Sequence, residues 1–424
     1  MGRIAHWKGW LSWLALAAVA GVLLLNACGS DAADITPTPR PTVTRTVAPT
    51  VTSTPTVTPT LAPGERRRWG YDPLAPTGEE DPPIPSEPFP PEYAIEKLLA
   101  GLDRPTQLAA TPDGRLLVTE QGGVVRVVEN GRLLDDPFVS VEVYLPELEG
   151  VVELGLVGIA VDPDFEQNGY VYLYYTVDDP RRTVVARVRD RRGRGTDLEE
   201  ILSWEAAPMC CHVGGGMTFA PDGTLFIGMG DHGTGSEIFE LFASALEAQN
   251  PFTLPGSILR INPDGSIPPD NPFDGPVYAY GLRNPYDVAI DPETGRIFAG
   301  ENGFFGQDAV VEVKRGANYG WPGLGLRVPE GEVEGPLTFY HTLGGIAGME
   351  FYASDVLSDL TGRLFYCRFH TGDVHEIEFL PDGSVSRETI RARNCTSDIT
   401  TGPEGLLYFL DYVEGALYRI GAAQ

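Results

Sequence analysis

Two residues of this chain stand where chemistry could be done. His212 is followed at once by Val213 and three glycines, and the apolar run from Leu225 to Met229 leads into Asp231. The glycines leave the imidazole uncrowded and the backbone free to turn. A ring nitrogen ahead of one strand and a carboxylate at the exit of the next suit a general base and the partner that orients it. A histidine that merely caps a hairpin is the plain alternative for such a motif taken alone.

The elements that must position this pair recur along the chain. A turn followed by an apolar strand is found at Thr111-Pro-Asp-Gly before Arg115 to Glu120, and at Asp162-Pro-Asp before Tyr170 to Tyr175. It returns at Ala220-Pro-Asp-Gly, Asp291-Pro-Glu-Thr-Gly, Leu360-Thr-Gly and Gly402-Pro-Glu-Gly, the last copy ending on Asp411. A second strand lies behind most copies: Val124 to Val128, Val184 to Val188, Ser257 to Ile261, Val310 to Val313, Val374 to Ile377 and Ala416 to Ile420. Copies of paired strands spaced roughly 40 to 70 residues apart predict an all-β, six-bladed β-propeller with unequal loops. Two stacked sandwiches would not repeat one turn in this way. Only Ser236 to Ala248 reads as a helix. In a propeller, loops gather at the mouth of a central channel, and His212 falls on such a loop.

Ahead of the repeats, residues 1–27 carry Arg3 and Lys8, then an apolar run from Trp10 to Leu25, then Leu25-Asn-Ala-Cys28. This resembles a signal peptide ending in a bacterial lipobox, with Cys28 as the acylated residue. Residues 28–92 are rich in Thr and Pro and cannot build a core, so they read as a disordered, semi-rigid stalk before a propeller at 93–424. The expected setting is therefore exported and lipid-anchored, on the outer face of the cytoplasmic membrane, in the periplasm or at the cell surface. A formal net charge of −28 over 424 residues argues against a nucleic-acid partner and against a basic membrane patch, leaving the lipid as the contact with the membrane. An oxidising compartment allows disulfides among Cys210, Cys211, Cys367 and Cys395.

Several motifs carry a more specific resemblance. Cys210-Cys-His-Val-Gly-Gly, Gly281-Leu-Arg-Asn-Pro285, Gly316-Ala-Asn-Tyr-Gly-Trp-Pro322, the run from Glu153 to Phe165 and the run from Ser257 to Pro268 resemble signatures of the soluble glucose dehydrogenase and aldose sugar dehydrogenase family. The likeness spans about Glu96 to Ile420 with motif order kept. It implies a six-bladed propeller that uses pyrroloquinoline quinone (PQQ) and Ca2+ to oxidise a sugar and passes electrons to an external acceptor. By that resemblance His212 is the base, Asp231 orients it, and Arg283 with Asn284 hydrogen-bonds the quinone oxygens and stabilises negative charge. Glu153, His370 and Asp411 are expected toward the cofactor. The carbonyls of Gly303 and Phe304, with Asp308, are expected toward calcium, although Phe304 replaces the family's proline. The Asn318-Tyr-Gly-Trp-Pro322 run reads as a packed turn.

The chain departs from the family where the cofactor's carboxylates should be held. His370 stands in place of a lysine, and Cys395-Thr-Ser-Asp398 replaces a pair of arginines. Each charge-assisted contact is worth roughly 1.5–3 kcal/mol, so three losses weaken cofactor binding by orders of magnitude. Arg368, Arg391 and Arg393 lie close enough in sequence to compensate. Cys367 and Cys395 either bridge neighbouring strands or remain buried thiols, and Cys210 with Cys211 could form a vicinal disulfide. The competing functions are a non-catalytic surface propeller that binds a glycan or protein, and a calcium-dependent lactonase.

Overall fold

The computed structural model describes residues 83–423 apart from 147–151, 179, 206–210, 234–245, 305–306, 323–332 and 343. The signal segment, Cys28, most of the stalk, Cys210 and most of the expected helix at 236–248 lie outside the described residues.

Six antiparallel sheets form the ring. Blade 1 runs Pro105–Ala110, Arg115–Glu120 and Val124–Glu129, with two short strands, Arg132–Leu133 and Val139–Ser140, both paired to the third. Blade 2 runs Leu156–Val161, Tyr170–Asp178, Arg181–Asp190 and Gly195–Glu205. Blade 3 runs Met217–Phe219, Leu225–Met229, Ser257–Ile261 and Val277–Tyr280. Blade 4 runs Pro285–Ile290, Ile297–Glu301, Ala309–Val313 and Thr338–Phe339, and blade 5 runs Ile346–Tyr352, Arg363–Arg368, Val374–Phe379 and Val385–Ala392. Blade 6 takes Ile399–Thr401, Leu407–Asp411 and Ala416–Ala422 from the end of the chain. It borrows its outermost strand, Tyr93–Ala100, from the beginning, with Tyr93 opposite Ala422.

The paired strands read from the sequence are the second and third of each blade. Each is covered on both faces by neighbouring blades, so it reads as a continuous apolar run. Leu225–Met229 and Ser257–Ile261 are buried at every position. Six buried clusters among the described residues each span one pair of adjacent blades, and Leu108, Val118, Leu410 and Leu417 close the ring between blades 6 and 1. Asp-Gly turns join first and second strands: Gly114 donates back to Thr111 with φ at +95°, a left-handed conformation that favours glycine. The expected stalk ends before residue 92, since Phe89 is buried against Phe365 and Ser86 bridges to Ile390 of blade 5.

The six inner strands line a narrow channel whose polar wall includes Gln107, Asp287, Glu350 and Asp398. The loops that lead into inner strands and the loops that leave second strands meet at one end of it. Glu153, His212, Arg283 and Ser397 lie on the first kind; Asp231, Asn302, His370 and Tyr412 lie on the second.

Candidate functional site

At that end lies a cavity of about 480 Å³ with aromatic walls from Tyr286, Phe304, Phe369 and Tyr412. His212 is on its surface and is held from behind. His212 Nδ1 lies 2.8 Å from Asp231 Oδ1, and an ionised carboxylate can only accept, so Nδ1 carries the proton and Nε2 the lone pair. Asp231 is fully buried and is gripped further by the Gly233 N–H at 2.7 Å on the same oxygen and by the Trp321 indole N–H at 2.8 Å on the other. Burial alone would push its pKa up. The His212 hydrogen bond, the charge of Arg283 and the Gly233 N–H outweigh that and hold it below the usual carboxylate range.

Local backbone demands explain the glycines. His212 itself has φ +57°, an uncommon left-handed conformation for a side chain of this size. A Cβ on Gly233 would lie 2.9 Å from both Asp231 Oδ1 and His212 Nδ1. A Cβ on Gly230 would lie 2.0 Å from the His212 carbonyl. The His212 loop is pinned by Glu153, whose Oε2 accepts from the backbone N–H of His212 at 2.8 Å and of Val213 at 3.3 Å. Asn284 ties the same parts together: Nδ2 donates to Glu153 at 3.1 Å, and Oδ1 accepts from the Gly214 N–H at 3.1 Å.

Arg283 reaches across the cavity wall. One terminal nitrogen donates to His212 Nε2 at 2.7 Å, and the other to the carbonyls of Asn302 at 2.8 Å and Gly303 at 3.1 Å. Its guanidinium lies over Phe304 and Trp321, at 5.8 and 5.7 Å from the ring centres. Beneath it Glu301 accepts from the backbone N–H groups of Arg283 and Asn284, and burial raises that carboxyl to about 8.

The other sequence-read residues divide. His370 lines the cavity at its exposed rim. Asp308 lines it too: Oδ2 accepts from Gly344 and Gly345, while Oδ1 is buried without a partner and burial raises its pKa. Gly303 and Phe304 line the cavity, their carbonyls accepting from Arg283 and from the Gln307 N–H. Among the described residues no group of three or more His, Cys, Asp or Glu is arranged to hold a metal ion. Asp411 is not on the cavity surface; its carboxylate accepts from the N–H groups of Val413 and Glu414 and from the Thr396 hydroxyl. Trp321, read as part of a packed turn, is instead the second anchor of Asp231. A buried indole N–H needs an acceptor, and here Asp231 on another blade supplies it.

Two of the nearby arginines are paired away from the wall where the resemblance expects cations: Arg391 with Glu376 and Arg393 with Asp373. Arg368 donates to the Thr342 carbonyl, packs over Tyr340 and lies 3.8 Å from Asp308, with its Nε buried without a partner. The wall they leave carries Thr396 and Ser397, and the Ser397 hydroxyl is buried without a partner. Cys367 and Cys395 form a disulfide with Cα atoms 5.2 Å apart, joining the loop of Ser397 to the strand that leads into His370. The cavity therefore suits a flat, polar, aromatic ligand. Its volume, aromatic walls and unpartnered Arg283 Nε, Asp308 Oδ1 and Ser397 Oγ fit a tricyclic quinone, with Thr396 and Ser397 hydroxyls at the end where the sequence resemblance leads one to expect cations.

The family described as Glucose / Sorbosone dehydrogenase matches residues 102–419. The aldose sugar dehydrogenase of Escherichia coli strain K12 is 29% identical over 358 residues, covering 77% of this chain and 92% of that one. Its crystal structure superposes with a TM-score of 0.65 at 27% identity, over 78% of this chain and all of the other (100%). The PQQ-bound aldose sugar dehydrogenase of Streptomyces coelicolor, at 24% identity and a TM-score of 0.63 over 79% of this chain and 99% of that one, shares the fold. Human Hedgehog-interacting protein is 28% identical over 228 residues, covering 47% of this chain and 32% of its own.

Proposed function

The chain belongs to the glucose/sorbosone dehydrogenase family, and from that premise we propose that it oxidises the C1 hydroxyl of an aldose, or a related alcohol, with PQQ and Ca2+. The observation that carries the reading is the line from Trp321 through Asp231 and His212 to Arg283. His212 Nε2 takes the hydroxyl proton, and Asp231 supports the imidazolium that results. Arg283 offers N–H groups to oxygen that gains negative charge as the C–H bond breaks. PQQ, when bound, supplies the two-electron acceptor for the hydride, and an external acceptor then removes the electrons. Arg283, Ser397 and His370 would hold the quinone, with the Gly303 carbonyl and Asp308 on the calcium side. Export and acylation at Cys28 are part of the proposal, supported by the N-terminal composition.

The test is reconstitution of purified protein with PQQ and calcium chloride, followed by dye reduction with a panel of aldoses. Absence of a bound-quinone spectrum at micromolar cofactor would overturn the proposal.

One observation favours a second reading. Arg391 and Arg393 are committed to Glu376 and Asp373, as expected if the propeller had given up the quinone and kept its mouth as a binding surface for a glycan or protein. The same titration separates the two.

A further inference from the structure

The Arg283 guanidinium holds two of the atoms that the proposed reaction needs free. His212 Nδ1 is committed to Asp231, which leaves Nε2 as the ring's acceptor, and Arg283 donates to that lone pair at 2.7 Å. A base whose lone pair is already accepting cannot take a proton from a substrate. The other terminal nitrogen of Arg283 donates to the Asn302 and Gly303 carbonyls. The guanidinium is thus a bridge between the loop of blade 3 that carries the base and the loop of blade 4 that carries the carbonyls.

The bridge is built to be remade rather than locked. Arg283 Nε is buried without a partner, so one of its donors is unsatisfied in this arrangement. Among the described residues no carboxylate is hydrogen-bonded to its side chain; its acceptors there are two neutral carbonyls and an imidazole. An anionic or strongly polarised oxygen competes well for such donors, because charge-assisted hydrogen bonds are roughly twice as strong as neutral ones. The backbone on either side is fixed: Glu301 accepts from the Arg283 N–H, and the Arg283 carbonyl accepts from the Asp231 N–H at 2.7 Å. Only the side chain is left to move.

We propose that Arg283 is a clamp that withholds the His212 lone pair and the Gly303 carbonyl until a ligand oxygen takes its N–H groups. Occupancy of the quinone end of the cavity then releases the base, so that proton abstraction begins only when a hydride acceptor is in place. The inference rests on the reading of His212 as the base, but its test does not depend on turnover.

The measurement is 15N NMR of the histidine and arginine side chains in full-length protein prepared without quinone. A through-hydrogen-bond coupling between Arg283 Nη2 and His212 Nε2 is expected, and it is lost when PQQ is added with calcium. In Arg283→Met the Nε2 resonance moves downfield, toward that of an unbonded lone pair. Absence of the coupling together with an unchanged Nε2 resonance in Arg283→Met would overturn the clamp, as would a coupling that persists with quinone demonstrably bound. Should Arg283→Met fail to fold, the coupling in the unaltered protein decides alone. A quinone that does not bind at all removes the functional proposal, and the coupling still reports on the contact.

Discussion

The indole N–H of Trp321 and the Nδ1–H of His212 meet the two oxygens of one buried carboxylate, Asp231, each at 2.8 Å. The Trp321 contact fixes the carboxylate plane, which in turn fixes the imidazole. Trp321→Phe keeps an aromatic side chain, though a smaller one, and deletes the donor. The expected result is a kcat about tenfold lower with KM nearly unchanged, since a buried acceptor is left unpaired and the base loses its orientation. Steady-state dye reduction across a pH series checks this. An unaltered kcat would make Trp321 mere packing.

Removing the imidazole proposed as the base has a larger effect. His212→Ala is expected to lower kcat by about 10²–10⁴ while quinone binding, followed by absorbance, stays intact. Loss of quinone binding instead would assign His212 to the cofactor's grip.

Gly233→Ala places a methyl group 2.9 Å from both members of the His212–Asp231 pair. We expect a kcat reduced at least about tenfold, comparable to losing one charge-assisted hydrogen bond. Gly122→Ala meets nothing within 4 Å and has no positive φ, so it serves as the neutral control. Equal activities in the two variants would count against the geometry.

The channel gives a pH prediction. Burial raises Glu350 from 4.5 to about 7, and Asp287, also buried, lies near the same value. A carboxyl whose pKa is higher folded than unfolded stabilises the fold below its unfolded value and loses that contribution as pH rises through the folded one. Stability should therefore decline between about pH 4.5 and pH 7. Glu350→Gln keeps an acceptor for the Thr401 N–H and removes the charge. Its Tm should exceed that of the unaltered protein by about 3–6 °C at pH 8 and match it at pH 4.5. Calorimetric curves that stay parallel across this range would refute the assignment.

The Cys367–Cys395 disulfide closes a separation of 28 residues. Replacing both cysteines with serine should cost about 3–4 kcal/mol, or about 10 °C in Tm. It should also weaken quinone binding, because the Ser397 loop loses its tie to the strand leading into His370. An unchanged dissociation constant in a destabilised variant would separate the two effects.

The sequence made the second and third strands of each blade legible, because burial on both faces writes an apolar run. The inner strands were not legible, for two reasons. Met217–Phe219 and Ile399–Thr401 are three residues long, and others carry Gln107, Asp287 or Glu350 toward a polar channel. The outer strand Gly195–Glu205 is largely solvent-facing, and its Leu198, Ile201, Leu202 and Trp204 follow no strict alternation. At the site, His212 and Asp231 stood out because glycines surround them. Trp321 did not, since its partner lies on another blade. The commitment of Asn284 and Glu153 to the His212 loop was equally hidden, being a property of three loops converging in space.

One feature of the ring bears on how the protein withstands tension. The strand Tyr93–Ala100 seals blade 6 from outside, so a pull arriving from the N-terminal side would fall on the seam that holds the circle shut. Just before that strand, Pro85 and Glu87 exchange backbone hydrogen bonds with Ile390, and Glu87 pairs with Arg387. These contacts hand the load to blade 5 before it reaches the seam. They work as strain relief on a cable, keeping a tug on the N-terminal side from unzipping the ring.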